Sequence, residues 1–175
     1  VADNLVSVFG EAEDQLHGYP GHQEIELALV RLFDATGESR YLELAKFFLD
    51  ARGAEPSYFD DEFEKRGRTH RSGPIRGYGR IYAQDHLPVR AQREAVGHAV
   101  RAVYMYCALV DVGTRTEDQK LLEASDGLWK SVVETKMYLT GGIGSTAEDG
   151  EAFGPPFDLP PDRAYTETCA SVALV

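Results

Sequence analysis

The feature that most constrains the fold is a repeat. Gly21-His22 and Gly97-His98 each precede a long apolar stretch, and each stretch is followed, after a short break, by an amphipathic one. Over about 23–35, Ile25, Leu27, Ala28, Leu29, Val30, Leu32 and Phe33 are apolar almost all round the helical circumference. Such a helix is buried on more than one side. Thr36-Gly37 stops it, the glycine supplying a left-handed cap. The next helix, about 39–51, gathers Tyr41, Leu44, Ala45 and Phe48 on one stripe and turns Glu43, Lys46 and Asp50 to water.

The plan recurs over about 92–112, with Val96, Val100, Val103, Tyr104, Cys107 and Ala108 on one face and Gly113 as the stop. Thr116-Glu117-Asp118-Gln119 then reads as a capping box, opening a helix with Leu121, Leu122, Leu128, Trp129, Val132 and Val133 on its inner side. A third apolar helix begins near Thr166 and carries Cys169 to Val175. The starts at His22, His98 and Cys169 are 76 and 71 residues apart. Repeated helical hairpins of this kind stack, because no single hairpin covers its own apolar face. Closed on itself, the stack is an all-α toroid. The third unit stops inside its first helix, so residues 1–175 are expected to be part of a larger catalytic barrel, truncated at both ends.

The connections carry information of their own. Residues 53–88 form a long segment rich in glycine, arginine and aromatics (Arg66, Arg68, Arg71, Arg76, Tyr78, Arg80, Tyr82), a length that in compact domains is usually functional or disordered. A short β element leading into a glycine turn is expected near 137–145. Pro155-Pro156 and Pro160-Pro161 then carry the chain in extended form to the third helix.

A net charge of −11 opposes binding to nucleic acid or an anionic membrane, and it leaves neutral sugars open. No apolar run approaches the roughly 18 residues of a membrane helix. Residues 1–10 lack the basic and apolar regions of a signal peptide, and a cytoplasmic location is expected. Cys107 and Cys169 stand far apart in unlike settings, which argues against a disulfide framework.

In a toroid the inner helices run parallel, so His22, His98 and the Glu167/Cys169 pair should gather at one rim. Imidazoles there can hydrogen-bond sugar hydroxyls or tune a neighbouring acid, or each Gly-His step can simply be a helix cap with a satisfied histidine. Glu167 and Cys169 offer an oxygen and a sulfur to a metal, but on a regular helix residues two apart face different ways. The alternative is a structural cysteine beside a helix-start glutamate. Glu151, in a glycine-bounded loop, is either a general acid or a solvated side chain.

The chain resembles glycoside hydrolase family 127, the β-L-arabinofuranosidase-like enzymes. The resemblance rests on residues 18–30, on Pro88-Val89-Arg90 with 94–102, and above all on 138–145, Gly150-Glu151-Ala152-Phe153 and Leu159-Pro160 through Tyr165-Thr166-Glu167-Thr168-Cys169-Ala170. It implies an (α/α)6 toroid and retaining hydrolysis by a zinc-bound cysteine nucleophile. By resemblance Glu151 is the acid/base, Glu167 and Cys169 are zinc ligands, and His22 and His98 bind the sugar. The family's other two zinc ligands are an adjacent cysteine pair, one of them the nucleophile, and no such pair occurs in these residues. Zinc binding by this chain alone is therefore expected to be weak or absent, and hydrolysis undetectable. Exposed terminal hairpins imply a homo-oligomer. Two other readings remain at this stage: a non-catalytic carbohydrate-binding or scaffold toroid, and a different α/α-barrel sugar enzyme such as an epimerase or unsaturated-glycoside hydrolase.

Overall fold

The structure is a computed structural model that describes residues 1–67, 79–147 and 150–174. Arg68, Arg71, Arg76 and Tyr78 lie outside the described residues. The helices are α1 (Ala2–Val8), α2 (Ile25–Thr36), α3 (Ser39–Ala51), α4 (Tyr58–Lys65), α5 (Ala99–Thr116), α6 (Gln119–Thr135) and α7 (Thr168–Leu174), with short 3-10 turns at Gly79–Ile81 and Val89–Ala91. Among the described residues there is no strand, and the fold is all-α. The β element expected near 137–145 reduces to a single bridge, Met137 to Ile143, around a turn at Gly141.

Two hairpins, α2–α3 and α5–α6, match the repeat. Gly37 closes α2 in the left-handed conformation, at φ 75°. At the second hairpin, Gly113 does not stop α5, which runs on to Thr116. The reason is packing. Leu121 and Leu122 of α6 approach Gly113 so closely that a side chain there would press on both. The expected capping box is also displaced by two residues. The Thr116 hydroxyl donates to the Val112 carbonyl at 2.8 Å, which keeps Thr116 in α5. Asp118 caps α6 instead, accepting from the amides of Lys120 and Leu121 at 3.1 and 3.2 Å.

α2, α5 and α7 are parallel neighbours. Near their starts the rings of His22 and His98 lie 6.0 Å apart. Near the far ends of α2 and α5, Arg115 forks onto Asp34 at 2.8 and 2.5 Å. Cys107, midway along α5, meets the carbonyl of Ala173 near the end of α7. α5 is the most enclosed helix, burying Ala102, Val103, Met105, Ala108, Leu109 and Val112 against Leu29 and Val30 of α2 and Leu121, Leu128 and Val132 of α6. Trp129 is not inward-facing as expected. The inner stripe of α6 is Leu121, Ala124, Ser125, Leu128 and Val132, and Trp129, a further 100° round, is 47% exposed. It borders an apolar groove of about 330 Å³ shared with Val103, Val110 and Leu174.

Sequence patterning missed two elements. α1 packs on α3 through Phe9 against Phe48, rings 5.3 Å apart, and through Tyr41 donating to Asp3 at 2.7 Å. α4 interrupts the long 53–88 segment and is capped by Ser57. The proline segment is not fully extended, because Asp158 closes a turn back to Pro155.

Irregular backbone from 82 to 98 is fixed by buried glutamine side chains. Gln23 donates to the Ala83 carbonyl and the Gln84 side chain, at 2.9 and 2.7 Å. Gln84 donates to the Val96 and His98 carbonyls, and Gln92 to those of Gln84 and Leu87. These bonds replace the ladder that regular structure would supply, satisfying carbonyls that burial would otherwise orphan. They also explain why α2 begins at Ile25 rather than Gln23, and α5 at Ala99 rather than Gln92.

Candidate active site

His98 is the N-cap of α5 and is buried, its Nδ1 accepting weakly from the Arg101 amide at 3.4 Å. That bond leaves the proton on Nε2, which donates to Glu151 Oε2 at 3.1 Å. Glu151 sits in the left-handed region at φ 56°. Its carbonyl accepts the Ala99 amide, Ala152 bridges to both His98 and Thr146, and Phe153 donates to the Gly97 carbonyl. The loop carrying the carboxylate is thus sewn to the start of α5. The other carboxylate oxygen, Oε1, accepts the Tyr165 hydroxyl at 3.0 Å.

Gly97 makes this junction possible. It stands at φ 72°, and an added Cβ would collide with the Ile81 carbonyl oxygen. Gly97→Ala should therefore destabilise the fold by about 2 kcal/mol or more, read as a lowered denaturant midpoint; an unchanged midpoint would refute this close approach.

His22 lies just ahead of α2, with its Nδ1 3.7 Å from Glu24. Its ring meets those of His98 and Tyr104 edge to face, at 6.0 and 6.4 Å. Arg101 reaches back to the Gly21 carbonyl and lies over the Tyr82 ring, which itself packs edge-on to His98 at 5.3 Å. Burial, then the Arg101 guanidinium, pushes both imidazoles below the ordinary histidine range. Both therefore stand as neutral imidazoles at neutral pH, able to donate from one ring nitrogen and accept at the other.

Glu167 and Cys169 do converge. Thr166, at φ 44°, donates its amide to the Gly144 carbonyl, so the chain enters α7 through an irregular turn, with Glu167 still outside the helix. The neighbouring Glu167 carboxylate, through hydrogen bonding and charge, holds the Cys169 thiol above its ordinary range. A hard oxygen and a soft sulfur side by side on an exposed turn suit a borderline metal ion, which would take the place of the thiol proton. Ligand atoms of His98, Glu151 and Glu167 also lie within 4.8 Å of one another, a cluster able to hold a metal. Cys107 is elsewhere, its sulfur against the Ala173 carbonyl, and burial raises its pKa.

Every residue singled out from the sequence therefore lies at one rim. Sequence reasoning gave Arg101 and Tyr165 no role. Arg101 was detectable, being three residues after His98 on what becomes the same helical face. Tyr165 was not, because no local pattern says which way an irregular turn points a ring.

Residues 1–175 match the catalytic domain of the glycoside hydrolase family 127 β-L-arabinofuranosidases. A non-reducing end β-L-arabinofuranosidase of Bifidobacterium longum subsp. longum is 42% identical over 174 residues, covering 99% of this chain and 26% of that protein. The crystal structure of a family 127 β-L-arabinofuranosidase from Geobacillus stearothermophilus T6 superposes with a TM-score of 0.94 at 50% identity, over 98% of this chain and 27% of that one. A second solved structure, a family 127 β-arabinofuranosidase, gives 0.83 at 44% identity, over 98% of this chain and 24% of that one. The chain thus spans about a quarter of the length of these relatives. With its helical hairpins, its sewn carboxylate loop and a match running from end to end, the chain belongs to the catalytic-domain family of glycoside hydrolase family 127.

Proposed function

We propose that this chain supplies one wall of the active site of a retaining glycoside hydrolase acting on β-L-arabinofuranosides or closely related sugars. The observation that carries the reading is the placement of Glu151. It is held between His98 and Tyr165 at the rim where His22 and the Glu167–Cys169 turn also lie. In this reading Glu151 protonates the departing glycosidic oxygen and then, as its conjugate base, draws a proton from the incoming water. His98 and His22, kept neutral, hold the sugar hydroxyls. Tyr82 and Tyr104 give the sugar aromatic surface beside those imidazoles.

Zinc is the metal we assign to the Glu167–Cys169 turn, where it would keep coordinating thiols in the thiolate form. The chain offers only these two of the family's expected ligands, and its other cysteine faces away. The nucleophilic cysteine is accordingly assigned outside these residues, and residues 1–175 alone should not turn over substrate.

The test is hydrolysis of an aryl β-L-arabinofuranoside by the complete protein, followed by proton NMR of the first-formed anomer. Retention of configuration is expected, and inversion or no cleavage would sink the reading. In parallel, Cys169→Ser should lower bound zinc at least about tenfold, since metal affinity rests on ligand identity. Undiminished zinc in that variant would remove Cys169 from the metal site.

A further inference from the structure

Building on the acid/base reading of Glu151, we infer that Tyr165 is a positioning residue for that carboxylate, fixing the oxygen that His98 leaves free. Tyr165 donates to Oε1 at 3.0 Å while His98 donates to Oε2 at 3.1 Å, so the carboxylate plane is pinned from both sides. The two donors come from unrelated parts of the chain. His98 is the first residue of a helical repeat, and Tyr165 belongs to the irregular turn that leads to Glu167 and Cys169. That turn is itself anchored, by the Thr166 amide on the Gly144 carbonyl.

The arrangement divides the work between the two donors. A sugar that engages His98 draws the imidazole proton toward its own hydroxyl, which loosens the hold on Oε2. The phenol, one oxygen across, then keeps the carboxyl group aimed at the glycosidic oxygen. Misplacing a catalytic group by about 1 Å costs on the order of 100-fold in rate, so a single hydrogen bond of this kind has leverage beyond its own strength. Tyr165 is well suited to the task. Its hydroxyl already reaches Glu151 Oε1, from a turn that is separate from the start of α5. Among the described residues the ring meets no other aromatic ring and it is 37% exposed, so loss of its hydroxyl need not disturb the core.

The experiment compares Tyr165→Phe with the parent in the complete protein, using two aryl arabinofuranosides that differ only in leaving group. A strongly activated phenol departs without protonation, whereas a poor leaving group needs the acid. Tyr165→Phe should lower kcat/KM, which reports the step that expels the leaving group, about tenfold on the poor leaving group and less than about twofold on the activated one, with melting temperature unchanged. Equal losses on both substrates, or no loss on either, would overturn the inference, since a merely structural role affects both alike. Glu151→Gln measured beside it separates the two claims. If that variant shows the leaving-group dependence and Tyr165→Phe does not, Tyr165 is excluded and Glu151 keeps its role. If Glu151→Gln shows none, the acid assignment and the inference fall together.

Discussion

Glu151→Gln should abolish most turnover of the complete enzyme, by about 100- to 10,000-fold in kcat, while leaving its metal content and melting temperature unchanged. The magnitude follows from the geometry. Glutamine has nearly the shape of glutamate, and the backbone that carries it is fixed independently, by the Ala99 amide and the Ala152 pairings on either side. The amide oxygen still accepts from one of the two donors that now hold the carboxylate. What is lost is the transferable proton, which an amide cannot supply to a departing alkoxide. Metal content is the control, because the metal proposed above is assigned to Glu167 and Cys169, on the turn into α7, and a loss of metal in the variant would instead make Glu151 a ligand. Full activity in the variant would show that another group protonates the leaving oxygen.

The largest effect on stability is expected at Arg52. This side chain is completely buried, donating to the carbonyls of Pro20 at 2.7 Å and Ala83 at 2.9 Å and lying over the Tyr19 ring at 4.6 Å. Facing it is the carboxylate of Glu26, equally buried and 3.9 Å away. Burial pushes the Glu26 carboxyl up and the Arg52 guanidinium down, and each is partly restored by the other. Arg52→Ala removes the counter-charge and strands two carbonyls, so a loss of about 3–5 kcal/mol is expected by denaturant unfolding. Because Pro20 precedes Gly21-His22, and Ala83 follows Tyr82, the same change should loosen the rim that carries His22 and His98. Adding Glu26→Leu to Arg52→Met should recover much of the loss, since an apolar pair leaves no unpaired charge. A double variant no more stable than Arg52→Ala would mean that the carbonyl contacts, not the charges, dominate.

What was legible in the sequence was the part written in period and repeat. The hairpins 25–51 and 99–135 and the parallel inner helices followed from where apolar residues recur and where Gly-His steps fall. The convergence of His22, His98, Glu167 and Cys169 followed from register between repeats, whereas Glu151, on a loop outside the repeat, was singled out by its glycine-bounded setting and the family resemblance. Boundaries were less legible wherever side chains overrule propensity. Gly113 looks like a stop but is a packing site, and Thr116 looks like a cap but spends its hydroxyl on its own helix. The segment 92–98 looks helical, yet Gln84 binds its Val96 and His98 carbonyls and Gln92 turns its own side chain back to those of Gln84 and Leu87, partners that lie outside the segment. The pairing of Glu167 with Cys169 required a left-handed Thr166, which a threonine does not advertise.

The parallel packing of α2 and α5 carries an electrostatic consequence. Peptide dipoles in neighbouring parallel helices add instead of cancelling, leaving about half a positive charge at each start. Those starts add positive polarity to a rim otherwise furnished with acidic groups at Glu24, Glu151 and Glu167. On the function proposed above, a neutral sugar entering there would meet a field that offsets part of those acids and favours new negative charge. It is the alkoxide character building on a departing oxygen, more than the resting sugar, that such a field favours.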